Sequence, residues 1–253
     1  MPVKELVKRF VPEPVVGPAA SAWRRLRRSI GTGAALSGVR PRSEIWGLDR
    51  GTPIERHYVE TFLAAHGADI RGRVLEMGDA RYTKRFGGDR VTRSEVLNLA
   101  AGNPEATIVG DLVSGRDIPV AAFDCAIVVN TFLVIHDVSA AIATCHRMLR
   151  PGGVLLAHFT ALARRAHNDE DWGPPGWSGD GDSWRFTRAS ARRLCETQFP
   201  PDAVTVTGYG NVRAAAASLY GLAAEELTAE ELGYLDPRFD VAVCVRAVRR
   251  APS

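Results

Sequence analysis

The stretch RGRVLEMGDARYTKRFGG, Arg71 to Gly88, opens like the first strand of a nucleotide-binding sheet. Val74, Leu75 and Glu76 lead into one well-placed glycine, Gly78, where a ligand can approach the backbone closely, and the next glycine comes only at Gly87. The GxGxxG fingerprint of dinucleotide sites and the GxxxxGK(S/T) phosphate loop are both missing. Those glycines let several backbone N–H groups aim at anionic oxygens, so a loop without them is poorly built for phosphate. A ligand that carries no phosphate asks less of it.

Outward from this strand, short apolar runs alternate with helical patterns. RVLEM (73–77), SEVLNL (94–99), ATIVGDL (106–112), FDCAIVVN (123–130) and GGVLLAHF (152–159) read as strands, the third short enough to be mostly loop. Upstream, Thr52 and Glu55 form a capping-box pattern, with Pro53 at the first helical position and Gly67 as the stop. In VSAAIATCHRMLRPGG, Ser139 is the expected N-cap and Pro151, Gly152 and Gly153 end the helix. Apolar strands separated by helices imply a parallel sheet covered on both faces, so the fold class is an open, doubly wound α/β sheet. Ligands of such sheets bind beyond the carboxyl ends of the strands, near the switch in strand order. The positions to weigh are Glu76 to Tyr82, Glu95 to Asn98, Asp111, Asn130, Thr131 and His158.

Composition bounds the function classes. At 253 residues and 45% hydrophobic content, the chain can bury a full core as one decorated domain. The net charge of +3 is small, and no basic, aromatic-interleaved patch stands beyond the N-terminal arm, so nucleic acid is not an expected partner. Cys125, Cys145, Cys195 and Cys244 lie at wide spacings without a CxxC pair and read as reduced, buried thiols. No apolar run approaches the ~20 residues of a membrane span, and the N-terminus lacks the apolar segment of a secretory signal. A soluble, cytoplasmic protein with no membrane partner is expected. The first 45 residues are uneven, with Pro12, Pro14 and Pro18 before the short basic helix SAWRRLRRSI. Its arginines read as a solvated helix face, contact with an anionic substrate or membrane surface being the alternative.

Four segments, VLEMG, ATIVGDL, FDCAIVVNTFLVIHDV and HRMLRPGGVLLA, taken in order, resemble the motif series of class I S-adenosylmethionine-dependent methyltransferases. The likeness is nearest to small-molecule members of antibiotic and polysaccharide pathways, which share a stretch like Trp184 to Thr187. The resemblance implies a Rossmann-like, mostly parallel sheet with an antiparallel last strand. It also implies S-adenosylmethionine as cofactor and a small-molecule acceptor methylated at a hydroxyl of a sugar or natural product. Residues 1–45 become a basic arm and 46–253 the methyltransferase domain, with lid or insert segments at about 165–186 and 211–238.

By the same resemblance, Glu76 and Gly78 hold the methionine moiety and the loop around it. Glu95 or Asn98 grips the ribose hydroxyls, Glu95 having the chemistry and Asn98 the better spacing to Asp111. Asp111 receives the adenine amino group and Asn130 lies beside the methionine end. Asp79, Ala80, Arg81 and Tyr82 stand where the family has small residues, and the helix after them must be short. Asp79 is a cofactor contact or a helix cap; Tyr82 lies over the sulfonium or covers the core. Methyl transfer from a sulfonium needs alignment first and, for a hydroxyl acceptor, a base, for which His158 and then His136 are the candidates.

In the C-terminal third, Thr187 can cap RASARRLCETQF, AVTVTGYG and DVAVCVRAV read as strands, and NVRAAAASLYGLAAEELTAEELGYL holds one or two helices with a Thr228–Glu231 capping box. Trp172, Trp177 and Trp184 mark NDEDWGPPGWSGDGDSW as a substrate lid, with Trp172, Trp184 and Arg185 as acceptor contacts. HNDEDW (167–172) contains possible metal ligands, but carboxylates in a polar loop are ordinarily solvated, and no metal is expected. Two further readings stay open: a binding or regulatory protein that lost methyl transfer, and an enzyme using the scaffold for cyclisation or another reaction. Oligomeric state is left open, with a homodimer as one candidate.

Overall fold

The computed structural model describes residues 38–165 and 182–251, which form two compact units. One unit comprises residues 59–161, 182–208 and 242–251; the other comprises 38–58, 162–165 and 209–241. Most of the basic arm, together with Trp172, Trp177 and HNDEDW, lies outside the described residues.

The sheet unit owes its order to the apolar runs. β1 (Gly72–Met77), β4 (Phe123–Val128) and β5 (Leu149–Thr160) are its central strands, buried on both faces as their near-continuous apolar sequences require. β2 (Val91–Asn98) and β3 (Ile108–Val109) complete one side, and β6 (Val204–Tyr209) and β7 (Ala242–Val248) the other, in the order β3-β2-β1-β4-β5-β7-β6. The pairs from β3 to β5 are parallel, and β7 runs antiparallel to β5. Strand order reverses between β1 and β4, so the switch point lies where Gly78 and Asn130 emerge.

Helix α1 (Ile54–Ala65) places Ile54, Tyr58, Val59, Phe62 and Leu63 on one buried stripe at helical spacing. In the sheet unit, α2 (Val138–Met148) and α3 (Arg188–Glu196) bury Val138, Ala141, Ile142, Cys145, Ala191 and Cys195 in one cluster with Leu155, Ala157 and Phe159. All four cysteines are buried and none forms a disulfide; burial pushes the thiols of Cys125, Cys145 and Cys195 up. Thr187 caps α3 in a reciprocal box with Ser190. The cap of α2 differs from the sequence reading: Asp137, not Ser139, accepts from the Ala140 N–H. Val138 is buried, so the helix begins one turn-fraction earlier than Ser139 would allow.

In the second unit, α4 (Val212–Leu219) starts at Asn211 and α5 (Ala229–Gly233) at the Thr228–Glu231 capping box. Thr52 gives its N–H and hydroxyl to Glu225 rather than closing a box with Glu55, and Arg50 forks onto Glu226. The Tyr58 hydroxyl donates to the Leu232 carbonyl, and burial pushes that phenol up to about 12. Among the described residues no helix is long and apolar enough to cross a membrane.

Candidate functional site

At the carboxyl end of β1, Gly78 turns the chain at φ +79°. Its N–H donates to the Leu97 carbonyl at 3.0 Å, and among the described residues no further atom lies within 4 Å of where a Cβ would project. The glycine therefore serves a backbone conformation and leaves its side-chain direction open. Glu76, just inside the strand, accepts from the Tyr82 N–H at 3.0 Å, the Thr83 N–H at 2.7 Å and the Thr83 hydroxyl at 2.7 Å. Burial raises its carboxyl above the ordinary value, and these donors only partly offset that. Both oxygens of Glu76 are engaged in shaping the loop.

That loop is short. Thr83–Gly87 form a π-turn and Gly88–Arg90 a 3₁₀-turn before β2 begins, so no full crossover helix fits. Asp79 Oδ1 accepts from the Arg81 N–H at 2.9 Å in a local turn, and the π-turn after it has no side-chain cap bond. Tyr82 is buried with its ring stacked on Phe86, centroids 6.3 Å apart.

The second strand separates the two ribose candidates. Glu95 lies mid-strand, beside Leu75, and its carboxylate meets Arg73 at 2.8 Å and Arg93 at 2.5 Å. Arg73 sits at the amino end of β1, so Glu95 is turned away from the ligand end of the sheet. This corrects the reading of Glu95 as a ligand-end acid: it lies mid-strand in β2, and its carboxylate is taken by arginines toward the amino ends of β1 and β2. Asn98 is the last residue of β2; its amide donates to the Ala100 carbonyl at 2.7 Å, and its carboxamide oxygen has no partner among the described residues. Asn103, which sequence reasoning passed over, reaches back to donate to the Gly78 carbonyl at 2.6 Å. The turn signal Gly102-Asn103-Pro104 was its only trace in the sequence, and nothing there showed its reach.

β3 is reduced to two residues, and Asp111 lies two residues beyond its end. Its carboxylate accepts from the Val113 N–H at 2.8 Å and the Ser114 N–H at 3.1 Å. Burial pushes that carboxyl up, but these amides, Ser114 and Arg116 outweigh it and hold it below the usual range.

After β4, Asn130 adopts φ +51°, a left-handed conformation that asparagine tolerates better than most residues, and its side is exposed. The chain then passes through Thr131 to His136, an exposed residue whose ring lies 6.1 Å from that of Trp184. Trp184 is pinned here: its N–H and that of Ser183 donate to the Leu133 carbonyl, and its indole N–H is shared between the carbonyls of Ile135 at 3.0 Å and His136 at 3.2 Å. Phe186 donates to the carbonyl of Thr160, the last residue of β5, and packs edge-on against Phe159. Arg185 is tied to Asp182 and to the Trp184 carbonyl. His158 lies inside the sheet opposite Cys244 and is 1% exposed. The two base candidates are thus not neighbours in kind: one is a wet loop residue, the other a core residue.

Asn98 ends β2, Gly78, Asp111 and Asn130 follow β1, β3 and β4, and Trp184 is bonded to the segment after β4, whereas Glu95 lies mid-strand. Residues 61–157 match the family described as methyltransferase domain. The match spans well under half of the chain and takes in β1 to most of β5. No curated protein matches the sequence. Among solved structures, the chain is similar to the Burkholderia thailandensis 1,6-didemethyltoxoflavin-N1-methyltransferase with bound 1,6-didemethyltoxoflavin and S-adenosylhomocysteine. The identity is 16%, over 95% of this chain and 94% of that one, with a TM-score of 0.48. It is also similar to an S-adenosylmethionine-dependent methyltransferase from Mesorhizobium loti, at 18% identity over 78% and 98% and a TM-score of 0.47. The cyclase SpnF is 15% identical over 89% and 97%, with a TM-score of 0.48. At these values the likenesses say nothing of activity. Among the described residues no group of three or more His, Cys, Asp or Glu gathers as a metal site.

Proposed function

We propose that this chain is an S-adenosylmethionine-dependent methyltransferase acting on a hydroxyl of a small natural-product acceptor. The observation that carries the reading is the open side of Gly78 flanked by strand-end Asn98 and Asp111, within the segment that matches a methyltransferase domain. Asn98 accepts a ribose hydroxyl, Asp111 faces the adenine end, and Asn130 lies toward the methionine end. Glu76 and Asn103 keep the loop in shape around Gly78. A sulfonium methyl is displaced directly, so the chain's task is alignment, with the acceptor oxygen about 3 Å from the methyl carbon. His136, exposed beside Trp184, is the better placed of the two histidines to take the hydroxyl proton, since His158 is enclosed by the sheet.

A second reading rests on the loop itself. Asp79, Arg81 and a buried Tyr82 occupy the turn where close backbone approach would favour small residues, which suits a protein that binds the cofactor without transferring its methyl group, or that catalyses another reaction. Calorimetry with S-adenosylmethionine and S-adenosylhomocysteine tests both readings. Heat with micromolar affinity supports the cofactor site, absence of binding at millimolar ligand removes it, and binding without methyl transfer to any hydroxyl acceptor favours the second.

A further inference from the structure

Trp184 is held more firmly than an exposed ring needs to be. Two backbone amides anchor its segment on the Leu133 carbonyl, and its indole N–H is spent on two further carbonyls, yet 41% of the residue remains exposed. An indole whose only donor is consumed by the protein can offer a ligand nothing but its π face and apolar edge. The ring also ends a ladder of aromatic contacts. Phe132 stacks on Phe159 at 4.9 Å, Phe159 meets Phe186 at 5.1 Å, and Phe186 lies 6.5 Å from Trp184, so the outermost ring is backed by the core. This ladder stands at the ends of β4 and β5, where a doubly wound sheet presents its substrates.

The polar groups nearby narrow the ligand further. Arg185, an expected acceptor contact, already spends donors on Asp182 and on the Trp184 carbonyl. A sugar would require several convergent polar side chains, and the phenyl rings supply none. His136, beside Trp184, is suited to a single hydroxyl or amine.

Resting on the methyltransferase reading, we propose that the acceptor carries a planar, conjugated ring that stacks on Trp184 and presents its nucleophilic group to His136. The test uses the full chain saturated with S-adenosylhomocysteine and a matched pair of probes, 2-naphthol and its saturated counterpart decahydro-2-naphthol, which share the hydroxyl and differ in flatness. Calorimetry should find the naphthol bound about tenfold more tightly by the wild type. The preference should vanish in Trp184→Leu and persist in Trp184→Phe, with S-adenosylhomocysteine affinity the same in all three. Equal affinity for the two probes, no binding of either, or a preference that survives Trp184→Leu overturns the proposal. Loss of S-adenosylhomocysteine binding by the wild type itself overturns the methyltransferase reading instead, so the two failures are distinguishable.

Discussion

Asn98 and Glu95 stand three residues apart on one strand and point to different ends of the sheet. Asn98→Ala should weaken S-adenosylhomocysteine by roughly 1–3 kcal/mol with an unchanged melting temperature, because a ligand hydroxyl loses its acceptor. Glu95→Gln should do the reverse, costing about 1–3 kcal/mol of stability at neutral pH with affinity intact, because Arg73 and Arg93 lose their shared carboxylate. Burial pushes the Glu95 carboxyl up, but the Thr107 hydroxyl, Arg73 and Arg93 outweigh it and hold it below its ordinary value of 4.5. Its contribution is therefore present above that value and lost as pH falls through the depressed one. Denaturant titrations across the acid range should show the wild type losing stability more steeply than Glu95→Gln; parallel curves would place the acid sensitivity elsewhere. Gly78→Ala separates strain from sterics at the same site. The positive φ should cost about 1 kcal/mol of stability, while the new methyl, which meets no atom of the described residues, enters the proposed ligand's side and should cost far more in affinity. An affinity loss no greater than the stability loss would mean that the open side of Gly78 faces no ligand.

Elements show what periodicity can and cannot report. The central strands were legible because burial on both faces leaves near-continuous apolar runs, and Thr187 and Thr228 were legible as caps because their partners follow at the expected spacing. The start of β2 was not, since Thr92 and Arg93 are exposed and carry no apolar signal; nor does any local pattern announce that Arg73 and Arg93 take the Glu95 carboxylate. The cap of α2 failed for a related reason. Asp137 and Ser139 are both good N-caps, and only the burial of Val138 between them decides. Asp137→Ala should accordingly lower stability by about 1 kcal/mol in chemical denaturation, and Ser139→Ala should leave it nearly unchanged. Equal losses would show that the helix start is shared between them. At the candidate site, residue types survived the step from sequence to structure better than contacts did: the bond from Asn103 to Gly78 spans two loops and has no local pattern to announce it.

For the whole molecule, the proposed binding site is an arrangement of loops on one rim of the sheet, and the two parts should answer ligand differently. Backbone hydrogen bonds inside β1, β4 and β5 are buried and open only with global unfolding, whereas the loops after β1, β2 and β3 are half exposed and open locally. A ligand that binds only the native state at 100 times its dissociation constant adds about 2.7 kcal/mol to global stability. Beyond that common gain, amides that the ligand holds closed should be protected individually. Hydrogen exchange with saturating S-adenosylhomocysteine should therefore slow the amides of Gly78 to Thr83, Leu99 to Asn103 and Asp111 to Ser114 well beyond the change seen in Arg73 and Arg93, at the far end of β1 and β2. Asn103→Ala supplies the internal check. Without its bond to the Gly78 carbonyl, the loop after β1 should exchange faster in the free protein and regain only part of its protection on binding. Protection confined to the amino ends of the strands, or spread evenly over the sheet with none added at the three loops, would remove the rim from consideration and with it the assignment of Gly78, Asn98 and Asp111 to the cofactor.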